Sequence, residues 1–400
     1  MPALSSRLKR AQPAATVQMS ILARELQARG HHVISLTIGE PDFATPRHAI
    51  DAAYGAALAG DTKYPPIDGE PALKAAVQRK FKEENRLDFA LDEIAVSNGG
   101  KQSIFNAMIV TMEPGDEVVI PSPYWVAYPL LTCLLGGEPV FVSCAQNNGF
   151  KLRPEDLDAA ITPRTKWLIL NFPNNPTGAA CTRPELRAIA DVMDRYPHVW
   201  IMDDAIYEHL RYDRVEHVTI AEVAPELRDR IVTISGVSKT YAMTGWRVGF
   251  CGGPKTLIKA MVTMQGHATA GVSTVGQAAA LAALVGPQDG VEARAEAYRR
   301  RRDLVVAGLN ACAGINCHRP EGAFYVFPNI AGCLGRTSAG GRRIETDEDF
   351  CLALLAEQHV AVVHGGAFGI SPYVRLSYAS DDAVLEEACR RIKVFCNELH

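Results

Sequence analysis

Lys239 and Arg247 stand eight residues apart in SGVSKTYAMTGWRVGF (235–250), the lysine on a Ser/Gly-rich turn after the apolar run 231–234. A lysine amine just past a strand end forms an imine with an aldehyde. An arginine on the next strand holds a phosphate through its planar fork. The plainer alternative is an exposed turn lysine and a core-edge arginine. EIAVSNGGKQSIFNAM reads strand, Gly-Gly, helix. Gly99 and Gly100 let backbone amides approach a ligand, and the positive end of a helix beginning at Lys101 suits a phosphate. A tight turn alone would use the same pair. NFPNNPTG (171–178) is a rigid loop after another strand, with Asn175 able to offer its amide to a ligand oxygen. Its Phe172–Pro173 and Asn175–Pro176 bonds are candidates for cis peptides. WIMDDAIYEHL (200–210) carries an apolar strand into Asp203 and Asp204, then Tyr207. A carboxylate there faces a ligand crevice, and beside a pyridine nitrogen it keeps that ring protonated. The same pair would serve a helix N-cap or a metal. Arg375, in YVRLSYAS, sits between apolar neighbours and calls for a carboxylate partner, which an internal salt bridge would also supply. Gly39 in TIGEPDF places a backbone group where it touches a small ligand. Trp125 in SPYWVAYP offers a flat ring for stacking or for the core.

An aldehyde and a phosphate together describe pyridoxal 5′-phosphate, which proteins hold through an imine-forming lysine. The elements that position these groups are legible as alternation. Short apolar runs occur at 93–97, 117–120, 139–143, 167–170, 199–203, 231–234 and 247–250, with helical stretches such as 101–112 and 183–195 between most of them. Continuous apolar strands with helical crossovers predict an α/β fold: a mostly parallel sheet covered on both faces. Ligands on such sheets sit beyond the carboxyl ends of the strands, where every motif above falls. An arm (1–14), a helix (15–29) closed by Gly30 and a short strand HVISLTIG precede this region. A separate α+β stretch, including a Gly/Arg-rich insertion (331–343), follows it. The predicted division is 1–45 as arm and part of a small domain, 46–290 as the large cofactor-binding domain, and 291–400 as the small C-terminal domain.

A net charge of −4 on 400 residues argues against a general polyanion binder. The basic run Arg299–Arg302 is expected on a solvated helix face. Ten scattered cysteines without a C-x-x-C pair, and no metal-like His/Cys cluster, predict free thiols and no metal. With no apolar signal core and no run near the ~20 apolar residues a bilayer span needs, a soluble cytoplasmic protein is expected.

Taken together these residues resemble the fold type I pyridoxal-phosphate enzymes. More narrowly, they are similar to class I aminotransferases of the bacterial aspartate aminotransferase type, some of which also act on prephenate or aromatic amino acids. GEPDF, KY-P-P–G, GGKQ, PNNPTG, DDAIYEHL and SK-x(6)-W-R stand in family order, and the resemblance runs from ATVQMS to RLSYAS. It implies a large domain with a seven-stranded sheet sandwiched by helices, and a smaller α+β domain. It implies that Lys239 carries the cofactor and moves the Cα proton. Asp204 would meet the pyridine nitrogen, Tyr207 and Asn175 the ring hydroxyl, and Trp125 the ring face. Gly99, Gly100 and Arg247 would hold the phosphate, with Tyr64 reaching in from the partner subunit of a homodimer. Arg375, with Gly39 and Asn175, would hold the substrate α-carboxylate, and Lys101 the distal carboxylate of an acidic substrate. The implied reaction is transamination between an L-amino acid, aspartate first, and 2-oxoglutarate, ping-pong through a pyridoxamine form. Aromatic or prephenate transamination and a β-lyase reaction are the alternatives. A cofactor-sensing module fused to a DNA-binding unit is set aside, because about fourteen residues before the first helix are too few for a helix-turn-helix. Four positions depart from the family pattern. Asp203 stands beside Asp204, which leaves the choice of carboxylate open. Gln12 and Ala15 replace basic and hydroxyl residues often seen in the subgroup. Gly236 lacks a phosphate-binding hydroxyl that some relatives use.

Overall fold

The computed structural model describes Ser5, Arg7 and residues 15–400. The predicted arm, with Gln12 and the side chain of Ala15, lies outside the described residues. The first helix runs Ala15–Ala28. Strand β1 (Ile34–Ser35) is shorter than HVISLTIG suggests. Leu36 still bonds the backbone of Ala361 and Ser377, and past it the backbone serves side chains: Arg375 takes the Thr37 carbonyl and Lys239 the Gly39 carbonyl.

Seven strands follow: β2 (Ile94–Ser97), β3 (Glu117–Ser122), β4 (Glu138–Ser143), β5 (Thr165–Asn171), β6 (Trp200–Asp204), β7 (Ile231–Gly236) and β8 (Gly249–Gly252). Each predicted apolar run becomes one of them. They form one sheet in the order β2-β8-β7-β6-β5-β3-β4. Strand β8 is antiparallel to β2 and β7, and the other pairings are parallel. Leu168, Leu170 and Ile201 pack on one face, and Trp167, Ile169 and Met202 on the other. Continuous apolar runs read this way because both faces are covered. The helices Gly100–Ile109 and Arg183–Asp194 match two predicted stretches. The second starts at a capping box in which Thr182 and Glu185 satisfy each other's backbone amides. Register pairs Asn171 with Asp204 and Asp204 with Ile234, so the carboxyl ends of β5, β6 and β7 lie level.

Short strands β9 (Tyr325–Val326), β10 (Val360–Ala361), β11 (Val363–His364) and β12 (Val374–Ser377) complete the fold. β10 pairs parallel with β1, and β11-β12-β9 is antiparallel. One hydrophobic cluster joins Met19, Val33, Ile34 and Leu36 to residues from Tyr298 to Leu399, and takes in Tyr207, Leu210 and Tyr212. The helix Asp289–Asn310 runs unbroken across position 290.

The basic run on this helix departs from expectation. Arg301 and Arg302 are buried. Arg301 pairs with Asp42 and Asp382, and Arg302 with Asp213 and Asp303. The run ties the helix to carboxylates on neighbouring segments, and a charge-run pattern carries no sign of such distant partners. No helix among the described residues is long and apolar enough to cross a membrane.

Candidate active site

The level ends of β5, β6 and β7 open into a cavity of about 450 Å³. Lys239 lies on its floor in a four-residue helix, Val237–Thr240, where the sequence suggested a turn. Its Nζ donates to the Gly39 carbonyl at 2.5 Å. Burial above all brings its pKa from 10.5 down to about 8. The nearby charges of Arg375 and Arg247 push the same way, while those of Glu40 and Asp204 oppose. A lysine so placed is partly neutral near physiological pH and therefore nucleophilic and basic.

Of the two adjacent aspartates, Asp204 faces the cavity and Asp203 does not. Neighbours on a strand point to opposite faces. Asp204 Oδ2 accepts from the Tyr128 hydroxyl at 2.6 Å, and burial raises its pKa to about 6. Asp203 Oδ2 accepts from the Ile220 amide at 3.0 Å on the far side.

Arg375 lies in β12, 3% exposed. It donates to Asn175 Oδ1 at 3.1 Å and to the Thr37 carbonyl. Its guanidinium stacks between the rings of Tyr325 and Phe368, each 4.8 Å away. The carboxylate partner expected from its apolar neighbours is missing among the described residues, and Nε has no hydrogen bond. A buried cation without an anion is costly, and this one lines a cavity that would admit a carboxylate.

Arg247 precedes β8 instead of standing in it. It has φ +56° at the end of a one-turn helix, Thr244–Trp246. Its guanidinium crosses to Gly99, bonding the Thr244 carbonyl at 2.7 Å and the Asn98 carbonyl at 3.3 Å. Gly99 has φ +82°, and a Cβ there would overlap that guanidinium. The two glycines thus divide their work. Gly99 spends its amide on the Ser97 carbonyl and does not line the cavity, whereas Gly100 opens the helix Gly100–Ile109 at the cavity wall. First-turn amides have no partner inside a helix. Beside them lies Arg247, and the combination fits a phosphate.

Lys101, Trp125, Tyr207, Asn175 and Gly39 also line the cavity. The Lys101 ammonium lies 4.8 Å over the Trp125 ring, its pKa lowered by burial and by Arg247. The Tyr207 hydroxyl bonds that of Tyr325 at 2.8 Å. A Cβ on Gly39 would overlap the same Tyr325 hydroxyl, so this position takes only glycine. Tyr64 is 91% exposed and does not line the cavity of its own chain. Both proline bonds singled out in the sequence are cis, as are Ser122–Pro123 and Ser371–Pro372.

Sequence reasoning missed Tyr128, Asn171 and Tyr325. Asn171 Nδ2 donates to the Asp204 carbonyl at 2.8 Å and its Oδ1 accepts the Asn175 amide at 3.0 Å, locking the PNNPTG loop to β6. Its place as the last residue of an apolar strand was an available signal. Nothing local marks Tyr128 or Tyr325, whose partners are 76 and 118 residues away.

The family described as aminotransferase class I and II matches residues 31–392. The chain belongs to this family. An aspartate/prephenate aminotransferase of Cereibacter sphaeroides is 53% identical over 396 residues, 99% of each chain. The crystal structure of the aspartate aminotransferase from Rhizobium meliloti superposes with a TM-score of 0.98 at 48% identity, covering 100% of both chains. The Thermus thermophilus aspartate aminotransferase solved with maleate gives 0.92 at 40% identity, covering 99% of this chain and 100% of that one. This aminotransferase therefore has the fold type I architecture and uses pyridoxal phosphate for transamination. Its cavity fits that cofactor on its own terms. A depressed lysine faces it, a carboxylate lies at a strand end, and a glycine-free-of-Cβ cradle holds an arginine beside free helix amides.

Proposed function

We propose that the protein transfers the amino group of aspartate to 2-oxoglutarate. The observation that carries this reading is Arg375, a buried cation that faces the cavity beside the half-buried Lys239 with no carboxylate paired to it among the described residues. When bound, pyridoxal phosphate supplies the aldehyde carbon and a pyridine ring that withdraws electrons from the substrate Cα. Lys239 would hold the cofactor by that aldehyde carbon and, once the substrate amine replaces it there, its freed amine would carry the proton from the substrate Cα to that carbon. Its amine, brought to about 8 by burial, does both near neutral pH. Arg375 orients the substrate by its α-carboxylate, helped by Asn175 and the backbone at Gly39. Asp204, held by Tyr128, keeps negative charge at the ring nitrogen, and Tyr207 and Asn175 hold the ring hydroxyl. The Gly100 amide and Arg247 hold the phosphate, Gly99 making room for the arginine. Trp125 covers the ring.

The distal carboxylate of a diacid falls to Lys101, which attracts as a point charge without fixed geometry. Exchanging Lys101 for serine should raise KM for aspartate about tenfold or more and leave that for phenylalanine within about twofold. Equal effects on both substrates would assign the lysine to the helix start alone. The decisive test of the whole reading is Lys239→Ala, which should abolish turnover and the visible absorbance of bound cofactor. Normal turnover in that variant ends the assignment.

One observation favours a second reading alongside the first. Val17, Ile21 and Ile38, all exposed, form an apolar wall at the cavity mouth. Such a wall suits a ring, and the Cereibacter relative's name includes prephenate. A half-reaction screen of amino acids and 2-oxo acids, aromatic ones and prephenate included, decides between them.

The reading extends to a cytoplasmic homodimer with shared sites, each Tyr64 completing its partner's phosphate pocket. The 91% exposure of this tyrosine supports that placement. The lobes are taken as 46–290, and 291–400 with the N-terminal segment through 45. The shared hydrophobic cluster of the two chain ends supports this division.

A further inference from the structure

The helix that carries Lys239 cannot hold itself. It has four residues, and its N-cap Gly236 offers no side chain. A single helical turn is unstable alone, because nucleation costs more than its few hydrogen bonds return. Something outside must therefore fix the direction in which the amine points.

Two hydroxyls that flank the lysine are buried and tied to one neighbouring segment. Ser235 Oγ donates to Glu208 Oε1 at 2.5 Å, and Thr240 Oγ1 bonds His209 Nδ1 at 3.1 Å. Ser235 and Thr240 are each 2% exposed. Glu208 and His209 directly follow Tyr207, so the segment that faces the cavity through Tyr207 grips the last helical residue, Thr240, and the end of β7 that leads into the helix, at Ser235. That grip has its own anchor, the end of the helix Pro71–Asn85. Lys80 donates to Glu208 Oε2 at 2.5 Å and Asn85 Nδ2 to the same oxygen at 2.9 Å. His209 Nε2 meets Glu84 at 2.8 Å. A carboxylate only accepts, so Nε2 carries the ring proton and, in the neutral ring, Nδ1 accepts from Thr240. Arg294 completes the frame by donating to the Thr240 carbonyl at 2.9 and 3.1 Å.

Glu84, Glu208 and His209 also bring ligand atoms within 4.8 Å of one another, as a metal site would. The Lys80 ammonium already bonds Glu208 there and lies 3.6 Å from Glu84. The cluster carries its own cation, and its connections lead to the lysine helix.

We propose that Ser235 and Thr240, held by Glu208 and His209, are positioning residues that set the reach of Lys239 into the cavity. The proposal rests on Lys239 being the reactive amine. Its test uses Ser235→Ala and Thr240→Val, the latter nearly isosteric, with Thr240→Ser as the conservative variant. The full chain before cofactor is added is acetylated with acetic anhydride across pH, and the Lys239 peptide is quantified by mass spectrometry. Lys239 in the unaltered chain should label with a midpoint near the value of about 8 set first by burial and then by the charges of Glu40, Arg375, Arg247 and Asp204. Thr240→Val and Ser235→Ala should move that midpoint by about half a pH unit or more. In the loaded enzyme they should lower kcat about tenfold with KM for the amino donor within about threefold. Thr240→Ser should restore both. Folded variants that keep the midpoint and kcat, even with a lower melting temperature, overturn the proposal. So does a Thr240→Ser variant as impaired as Thr240→Val, which would leave only packing. If Thr240→Val fails to fold, His209→Ala, at a side chain 22% exposed, removes the same anchor, and if Ser235→Ala fails to fold the Thr240 and His209 variants decide. An unaltered Lys239 without a depressed midpoint would instead remove the reactive-amine reading, and the proposal with it.

Discussion

Asp203 and Asp204 are adjacent, equally buried, and opposite in consequence. Asp204 lines the cavity, whereas Asp203 accepts from the Ile220 amide and has no cation paired to it among the described residues. Burial raises the Asp203 pKa from 3.8 to about 7, against the Ile220 amide that lowers it. A carboxyl with a folded pKa above its unfolded one stabilises the fold while protonated. That contribution is whole below about pH 4 and is lost as pH rises through about 7. Asp203→Asn should therefore raise stability at pH 8 by about 1–3 kcal/mol, with the gain vanishing below about pH 4, as urea unfolding at the two pH values would measure. A variant equally stable to the parent at pH 8 would mean that Asp203 pairs better than its contacts indicate. Lys239 runs the other way. Its folded pKa lies below its unfolded one, so its burial costs stability below about pH 8 and the cost fades as pH rises toward 10.5. The aminotransferase holds this strained amine because its chemistry needs a neutral one.

At the level of elements, the phosphate end depends on two left-handed backbone positions meeting. Gly99, at φ +82°, caps the start of the helix that follows β2, and Arg247, at φ +56°, ends the one-turn helix before β8. Because β2 and β8 are antiparallel neighbours, the end of one lies beside the start of the other, and Ser97 pairs with Gly249. Gly99→Ala would face both an unfavourable φ and the Arg247 guanidinium. It should weaken cofactor binding about tenfold or more, read by equilibrium titration of the cofactor-free chain, with little change in melting temperature. Unchanged affinity would show that Arg247 moves aside freely. The seven strands and their crossovers were readable from the sequence because strands covered on both faces are apolar along their whole length. β1 was read, as HVISLTIG, but longer than it is, and the three two-residue strands near the C-terminus were not, since such short pairings leave no periodic pattern.

Across the molecule, the cavity draws on both chain ends. The first helix supplies Val17 and Ile21, the central sheet supplies its strand ends, and β12 supplies Arg375. If the proposed homodimer shares its sites, Tyr64→Ala should weaken cofactor affinity although this tyrosine does not line its own cavity. Mixing a Tyr64→Ala chain with a Lys239→Ala chain should recover activity in part, because one composite site then has both residues. Sedimentation as a single chain, or no recovery on mixing, would place Tyr64 outside the site.

The sequence by itself was enough for the α/β architecture and for the residues that converge. Strand–helix alternation brings the carboxyl end of every sheet strand but β8 to one edge, where Asp204 stands, and Lys239, Asn175, Gly100 and Trp125 each follow such an end. What it left undecided needed a third dimension. Which aspartate faces the cavity depends on the face each strand residue takes. Whether Arg375 already has a carboxylate depends on neighbours distant along the chain. Gly99 as a space for an arginine, and Tyr128 and Tyr325 as partners, follow from contacts that only close packing creates.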